Sequence, residues 1–157
     1  MVSLIDTNVL VYCFDPRFPE NREIALSLIE SGLDGDDLLL PHQAIVEFVS
    51  ATTRPRRELG GESLLTRQEA LEEARNLLHQ FPVLYPNAAV LTTAIHGVAL
   101  YQMSWFDAHL WAYAEVFGAD EILSEDFSHG QHYGSVRVRN PFLTADSVHE
   151  LPPMYEA

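Results

Sequence analysis

Short apolar runs alternate with longer helical patterns along most of this chain. The runs occupy residues 2–5, 38–40, 83–85, 121–123 and 136–138, and each has the length of a strand rather than of a helix. Strands that are apolar throughout are buried on both faces, and helices connect them in parallel sheets. The alternation therefore predicts an α/β protein with a central parallel sheet of about five short strands between two helical layers.

Local signals set several of the predicted helix ends. Thr66 followed by Glu69 is a capping box at the start of one helix. Asn87 caps the next helix, which we expect to reach residue 101, and Gly118 ends a helix that starts at Trp105 or the residue after it.

Two further expectations concern the first long helix and the one that follows the second strand. The helix predicted over residues 21–33 should end at Gly32 and Gly35. In the helix over residues 42–53, the apolar pattern places Val46 in the core together with Ile45, Phe48 and Val49.

Composition limits the class of protein. The chain has 157 residues, 47% of them hydrophobic, which suits one globular domain. We assign residues 1–143 to that domain and residues 144–157 to an irregular C-terminal tail. No apolar run approaches the roughly 20 residues of a membrane helix, and the N-terminus lacks a signal-peptide pattern, so we expect a cytoplasmic protein without a membrane partner.

Charge is the unusual part of the composition. There are 23 acidic and 9 basic residues, a formal net charge of -14, and every basic residue is Arg. Such a charge argues against unassisted binding of nucleic acid and favours a protein that attracts cations or a basic partner.

Acidic residues stand where a parallel α/β sheet places its ligands, beyond the carboxyl ends of the strands. They follow the first and fourth strands, or interrupt apolar helical stretches: Asp6, Glu47, Asp107, Glu125 and Asp126. Each has a plain structural alternative. Asp6 or Asp107 can cap a helix, with Ser104 as the rival of Asp107, and the other three can face solvent.

Taken together, four carboxylates brought to one edge of a sheet repel one another, and burying that charge without compensation is costly. A divalent cation resolves the repulsion, and ligands that are all oxygen favour Mg²⁺ or Mn²⁺. Such a centre can activate water for attack on a phosphodiester.

Four segments carry a resemblance to a known family. "LIDTNVLVY", "IVEFVSA", "MSWFDAHLWAYA" and "ILSEDFSHGQHYGSVRVRNPF" resemble, in this order, the acidic motifs of PIN domains, and more narrowly of VapC-type toxins from bacterial toxin–antitoxin pairs. The similarity extends to about Leu143. It implies a Rossmann-like fold, a Mg²⁺- or Mn²⁺-dependent endoribonuclease that leaves a 5′-phosphate and a 3′-hydroxyl, an antitoxin partner and a homodimer.

The resemblance also implies roles for individual residues. The metal-binding and catalytic carboxylates would be Asp6, Glu47, Asp107 and Asp126. The polar side chains that orient them would be Thr7, Asn8 and Ser124, whereas Glu125 either shares the metal or faces water.

Three arginines in the stretch "RPRRELGGES" are candidate contacts for substrate or partner: Arg54, Arg56 and Arg57. A solvated loop is the alternative. Trp105 is a candidate contact for a substrate base because it lies close to Asp107, with a core position as the alternative. His129 and His132 fall in what reads as a polar loop.

Two other functions stay open at this level. An Asp after the first strand also suits a phosphohydrolase or phospho-acceptor with Asp6 as nucleophile, although such enzymes usually place a second Asp where this chain has Asn8 and often use a Lys, which this chain lacks. The other alternative is a non-catalytic interaction module with the same fold.

Overall fold

A six-stranded sheet organises the fold. The computed structural model describes residues 1–143, and the predicted tail at 144–157 lies outside them. The strands are β1 (Ser3–Ile5), β2 (Leu38–Pro41), β3 (Val83–Leu84), β4 (Glu121–Leu123), β5 (His132–Tyr133) and β6 (Val136–Arg139). Their order across the sheet is β3-β2-β1-β4-β6-β5, and every neighbouring pair is parallel except β5 with β6, which is antiparallel.

Six helices flank this sheet: α1 (Thr7–Tyr12), α2 (Pro19–Gly35), α3 (His42–Thr53), α4 (Arg67–Gln80), α5 (Ala88–Tyr101) and α6 (Trp105–Phe117). Alternate residues of the central strands face two separate cores. Leu4 and Ile122 pack against α5 and α6, whereas Ile5 and Leu123 pack against α1 to α4. The predicted three-layer α/β fold is confirmed.

The predicted number of strands was too low. The strand missed is β5, which has only two residues and pairs antiparallel with β6 at the edge of the sheet. Two residues are too few to show an apolar alternation, so the hairpin reads as a polar loop in the sequence.

The predicted caps hold where the signal is local. Thr66 and Glu69 exchange both bonds of the capping box, and Asn87 accepts a hydrogen bond from the backbone N–H of Val90 at 2.9 Å. Gly118 takes a left-handed conformation at the end of α6. Segments that depend on such caps therefore match their predicted bounds closely.

Two helical expectations were wrong. Gly32 does not end α2, which continues to Gly35; it is buried inside the helix, where a Cβ would stand 2.5 Å from Leu38 Cδ2. Its role is to allow β2 to approach closely. Val46 is not in the core, since its side chain is 55% exposed.

The order of the strands creates a switch point. From β1 the chain builds outward through β2 and β3, and β4 then joins the opposite side of β1. Loops that leave β1 and β4 consequently diverge and open a crevice at their carboxyl ends, the usual ligand position in open α/β sheets. Asp6 follows β1 and Ser124 follows β4, so both stand at this crevice. No helix among residues 1–143 is long and apolar enough to cross a membrane.

Close packing between α5 and α6 positions the helix that carries Asp107. Gly97 on α5 lies against the indole of Trp111 on α6, and a Cβ at residue 97 would stand 2.8 Å from its ring. The indole N–H of Trp111 also donates to the carbonyl of Tyr133 at 2.9 Å. The ring is thus held from two sides and has little room to move.

Gly97→Ala should therefore destabilise the fold by up to about 2 kcal/mol, because an overpacking cost of about 1–3 kcal/mol outweighs the gain of roughly 1 kcal/mol in helix propensity. Urea unfolding measures the change. The matched control is Gly35→Ala, where the nearest atoms belong to the flexible carboxylate of Asp37. Equal stability of the two variants would contradict the packing argument.

Candidate functional site

Asp6 is both a helix cap and a buried acid. Its Oδ1 accepts a hydrogen bond from the backbone N–H of Thr7 at 2.7 Å, and it is the N-cap residue of α1. Its Oδ2 accepts from the hydroxyl of Ser124 at 2.6 Å and from the amide of Asn8 at 3.3 Å. Asp6 is only 7% exposed. The capping alternative is thus realised, and it fixes this carboxylate at the crevice.

Asn8 and Ser124 connect Asp6 with Asp126. The amide of Asn8 donates to Asp126 Oδ2 at 3.1 Å and lies 3.3 Å from the hydroxyl oxygen of Ser124. That hydroxyl oxygen also accepts from the backbone N–H of Asp126 at 3.0 Å. Two polar side chains therefore join the acid after β1 to the acid after β4.

Glu47 reaches the same crevice from α3. The hydroxyl of Thr7 donates to Glu47 Oε2 at 2.8 Å, and the amide of Gln43, one turn earlier on α3, donates to Oε1 at 2.9 Å. Thr7 is adjacent to Asp6, so this bond holds the third acid beside the first two.

Asp107 comes from the first turn of α6 and is half-buried. The cap of this helix is Ser104, whose hydroxyl oxygen accepts from the backbone N–H of Asp107 at 3.2 Å. The rival residue, not Asp107, therefore performs the capping, and the carboxylate of Asp107 is available for another role.

The charges of Asp126 and Glu47 act on both of the other acids. Burial raises the pKa of Asp6 to about 7, and the charges of Asp126 and Glu47 add to that rise against the hydrogen bonds from Ser124 and Thr7. Burial also raises the pKa of Asp107, again with a contribution from Asp126 and Glu47. The negative charges of Asp126 and Glu47 thus raise the pKa of both Asp6 and Asp107, as expected of carboxylates around one crevice.

The donors suit a hard divalent cation in their chemistry, since all four are carboxylates. Asn8 Oδ1 is buried without a hydrogen-bond partner, so the crevice also holds an unused oxygen donor. Across residues 1–143, however, no three His, Cys, Asp or Glu side chains are grouped as a ready-made metal site. The carboxylates must draw together to share an ion, and their role as ligands stays a prediction.

Two clefts flank the acids. We call the first the arginine cleft; it has a volume of about 310 Å³ and is lined by Thr7, Asn8, Val11, Tyr12, Asp15, Arg17, Phe18, Ala51, Arg56, Glu125 and Asp126. We call the second the aromatic cleft; it has a volume of about 430 Å³ and is lined by His42, Gln43, Val46, Glu47, Pro86, Trp105, Phe106, His109 and Tyr113. A larger cleft of about 530 Å³ beside α2 contains none of the four acids.

Only one of the three predicted arginines lines the arginine cleft. Arg56 lines it, whereas Arg54 and Arg57 are exposed and are not part of its wall. Arg17 was missed: it pairs with Asp15 at 2.7 Å and lies 5.2 Å from the ring centre of Phe18. The missed signal was the short stretch "YCFDPRF", which places two aromatic rings and an ion pair directly after α1.

Glu125 lines the arginine cleft. The hydroxyl of Tyr12 lies 2.9 and 3.0 Å from the two carboxylate oxygens of Glu125 and fixes that side chain. Burial raises the pKa of Tyr12 to about 12, and this bond adds to the rise. The contact favours a structural role for Glu125 over a share in a metal site.

The predicted polar loop at residues 126–134 is partly a strand. The ring nitrogen Nδ1 of His129 accepts a hydrogen bond from the backbone N–H of Asn140 at 3.0 Å, and His132 lies in the edge strand β5. His129 therefore has a structural role in joining this segment to the chain after β6.

Comparison with known proteins identifies the fold family. The family model of the PIN domain matches residues 3–134. This chain belongs to the PIN-domain family. No curated protein sequence is significantly similar to it.

Solved structures share the same fold at low sequence identity. A toxin–antitoxin complex from Klebsiella pneumoniae is 16% identical with a TM-score of 0.62, over 88% of this chain and 97% of the other. FitAcB from Neisseria gonorrhoeae is 19% identical with a TM-score of 0.62, over 90% and 99%. VapC20 from Mycobacterium tuberculosis, a toxin that cleaves the sarcin–ricin loop, is 14% identical with a TM-score of 0.57, over 79% and 89%.

The raised pKa of Asp6 predicts how stability depends on pH. An unfolded Asp ionises near pH 4, whereas folded Asp6 keeps its proton until about pH 7. Across that window the folded state holds a proton that the unfolded chain has lost, so this group lowers stability as pH rises. Asp6→Asn should therefore gain stability relative to the parent from pH 5 to pH 8 in chelator.

Asp15→Asn is the control whose effect should not change with pH in this window. The hydrogen bonds from Arg17 lower the pKa of Asp15 despite its burial, so its stabilising contribution is complete at both pH 5 and pH 8 and is lost only below about pH 4. Thermal unfolding at pH 5 and pH 8 measures both variants. An Asp6→Asn variant that is equally destabilised at both pH values would show that Asp6 is ionised throughout.

Proposed function

We propose that this chain is a Mg²⁺- or Mn²⁺-dependent endoribonuclease and the toxin of a type II toxin–antitoxin pair. The observation that carries the proposal is that Asp6, directly after β1, and Asp107, on α6, are each influenced by the charges of both Asp126 and Glu47. Membership of the PIN family supports a nuclease. The structural relatives, among them a toxin–antitoxin complex and a toxin that cleaves the sarcin–ricin loop, favour the toxin role.

The same four carboxylates would hold the metal. A bound Mg²⁺ or Mn²⁺ supplies the positive charge that the crevice lacks and lowers the pKa of water that attacks a phosphodiester. The side-chain oxygens of Asn8 and Gln43, both without a hydrogen-bond partner, are further donors that the site offers.

Residues of this chain prepare the acids for that role. Asp6 binds a proton near neutral pH in the isolated protein, so it must release that proton to hold a cation, and cation affinity should rise with pH through about 7. Ser124 and Asn8 keep Asp6 and Asp126 facing each other, and Thr7 with Gln43 fixes both oxygens of Glu47. Asp126 is the exposed member of the set, the one that bulk water reaches.

Arg56 is the residue best placed for the RNA backbone. One of its terminal nitrogens, Nη2, donates to the carbonyl of Ala51 at 2.9 Å, while its Nε is buried without a hydrogen-bond partner. A guanidinium in the cleft wall that also contains Asn8 and Asp126 suits a phosphate oxygen. We propose that Arg56, rather than Arg54 or Arg57, contacts the substrate, and that the local charge offsets an otherwise acidic surface.

An apolar face on α5 supports a protein partner. Leu91, Ile95 and Val98 are exposed and follow the spacing of one helix face. We propose that this face pairs two copies of the chain. Equilibrium sedimentation measures the dimer.

An antitoxin should be encoded by the adjacent upstream gene, and co-purification of the two products tests it.

Asp107→Asn should abolish cleavage of single-stranded RNA by more than about a hundredfold, because it removes one of the converging charges without removing a helix cap. The measurement is cleavage of defined RNAs with Mn²⁺ and with chelator. Glu72→Gln, an exposed acid on α4, is the control and should leave the rate unchanged. An Asp107→Asn protein that cleaves as well as the parent would sink the proposal.

A further inference from the structure

The aromatic cleft borders the acids. Glu47 belongs to its wall, and Trp105 stands two residues before Asp107 in the first turn of α6. Thr7 lines the arginine cleft and donates to Glu47 in the aromatic cleft. The contact between Thr7 and Glu47 is therefore the boundary where the two clefts meet, so a chain lying over the acids enters both.

The lining of the aromatic cleft suits an uncharged ring and not a phosphate. Trp105 is 44% exposed and Phe106 is 68% exposed, a large apolar surface for two adjacent residues. No Arg contributes to the wall, and its one carboxylate, Glu47, repels anions. His42 and Gln43 supply polar groups at the edge, as expected of a site for a flat heterocycle.

The wall is also held in place before anything binds. Ser104 caps α6 directly before Trp105, and the rings of Trp105 and His109 meet edge to face at 6.0 Å. A ring that is fixed by its helix and by a neighbour loses little freedom when another ring stacks on it.

We propose that the aromatic cleft is a nucleobase subsite, in which one base of a single-stranded RNA stacks on Trp105 beside the bond that the acids cleave. The arginine cleft then takes the backbone on the other side of that bond. This inference rests on the proposed ribonuclease function and adds to it the position at which one base of the substrate binds. Stacking accepts every base, so the subsite sets the register of the RNA more than its sequence.

A double-mutant cycle between Trp105 and single bases of a bound RNA tests the subsite. The protein carries Asp126→Asn so that RNA is not cut, and the probe is an unstructured ten-nucleotide RNA with Mg²⁺, together with versions in which one base at a time is removed. Removal of one particular base should weaken binding by about tenfold. Trp105→Ala should weaken binding of the intact RNA by a similar factor, and removal of that base should then cost nothing more.

Two further variants complete the test. Trp105→Phe should restore most of the affinity, and Leu71→Ala, an exposed apolar residue on α4 outside both clefts, should change nothing. If Trp105→Ala and removal of the base weaken the RNA affinity independently, so that their two factors multiply, the subsite is overturned. Conversion of a dimer to a monomer by Trp105→Ala or Phe106→Ala would overturn it as well, because a second copy would then occupy the cleft.

The proposed function is read separately, from cleavage of the intact RNA by the protein with all four acids. Cleavage together with multiplicative binding effects overturns the subsite alone. Absence of cleavage with a coupled cycle overturns the ribonuclease proposal and leaves an RNA-binding cleft.

Discussion

The buried carboxylate of Asp6 is the constraint on which the site depends. It follows a strand that is buried on both faces, so the sheet fixes where it can lie. Burial without a cation costs free energy and raises its pKa to about 7. Hydrogen bonds from Thr7, Ser124 and Asn8 reduce that cost but do not remove it. The rest of the site can be understood as the surroundings that make a charged Asp6 tolerable once a cation is present.

Those surroundings divide into three parts with different chemistry. The first part is the set of acids, with Asp6 and Asp126 after the two strands of the switch point and Glu47 and Asp107 on α3 and α6. The second is the arginine cleft, which Asp126 lines, and the third is the aromatic cleft, which Glu47 lines. The bond between Thr7 and Glu47 separates the clefts. A substrate with alternating anionic and aromatic groups would match this sequence of surfaces, and this match is our reason for proposing RNA as the substrate despite a net charge of -14.

Features set by neighbouring residues were predictable from the sequence, and those set by distant contacts were not. The caps at Thr66, Asn87 and Gly118 act within one helical turn, so the helix bounds followed from them. Gly32 looked like a helix end because its real constraint, the closeness of Leu38, comes from another element. The four acids were predicted from motif and position and their role as ligands stays a prediction, whereas motif alone does not separate Arg56 from Arg54 and Arg57. Only the cleft wall does so.

The central claim is that Asp6, Glu47, Asp107 and Asp126 share a divalent cation. Anomalous diffraction from crystals grown with Mn²⁺ above pH 7 measures this directly, since the ion marks its own position. The account predicts an anomalous peak in the crevice within about 2.0–2.3 Å of oxygens from at least two of these carboxylates. Diffraction that shows Mn²⁺ only at other acidic positions, with Asp6 still bonded to Ser124 and no ion beside it, would contradict the account.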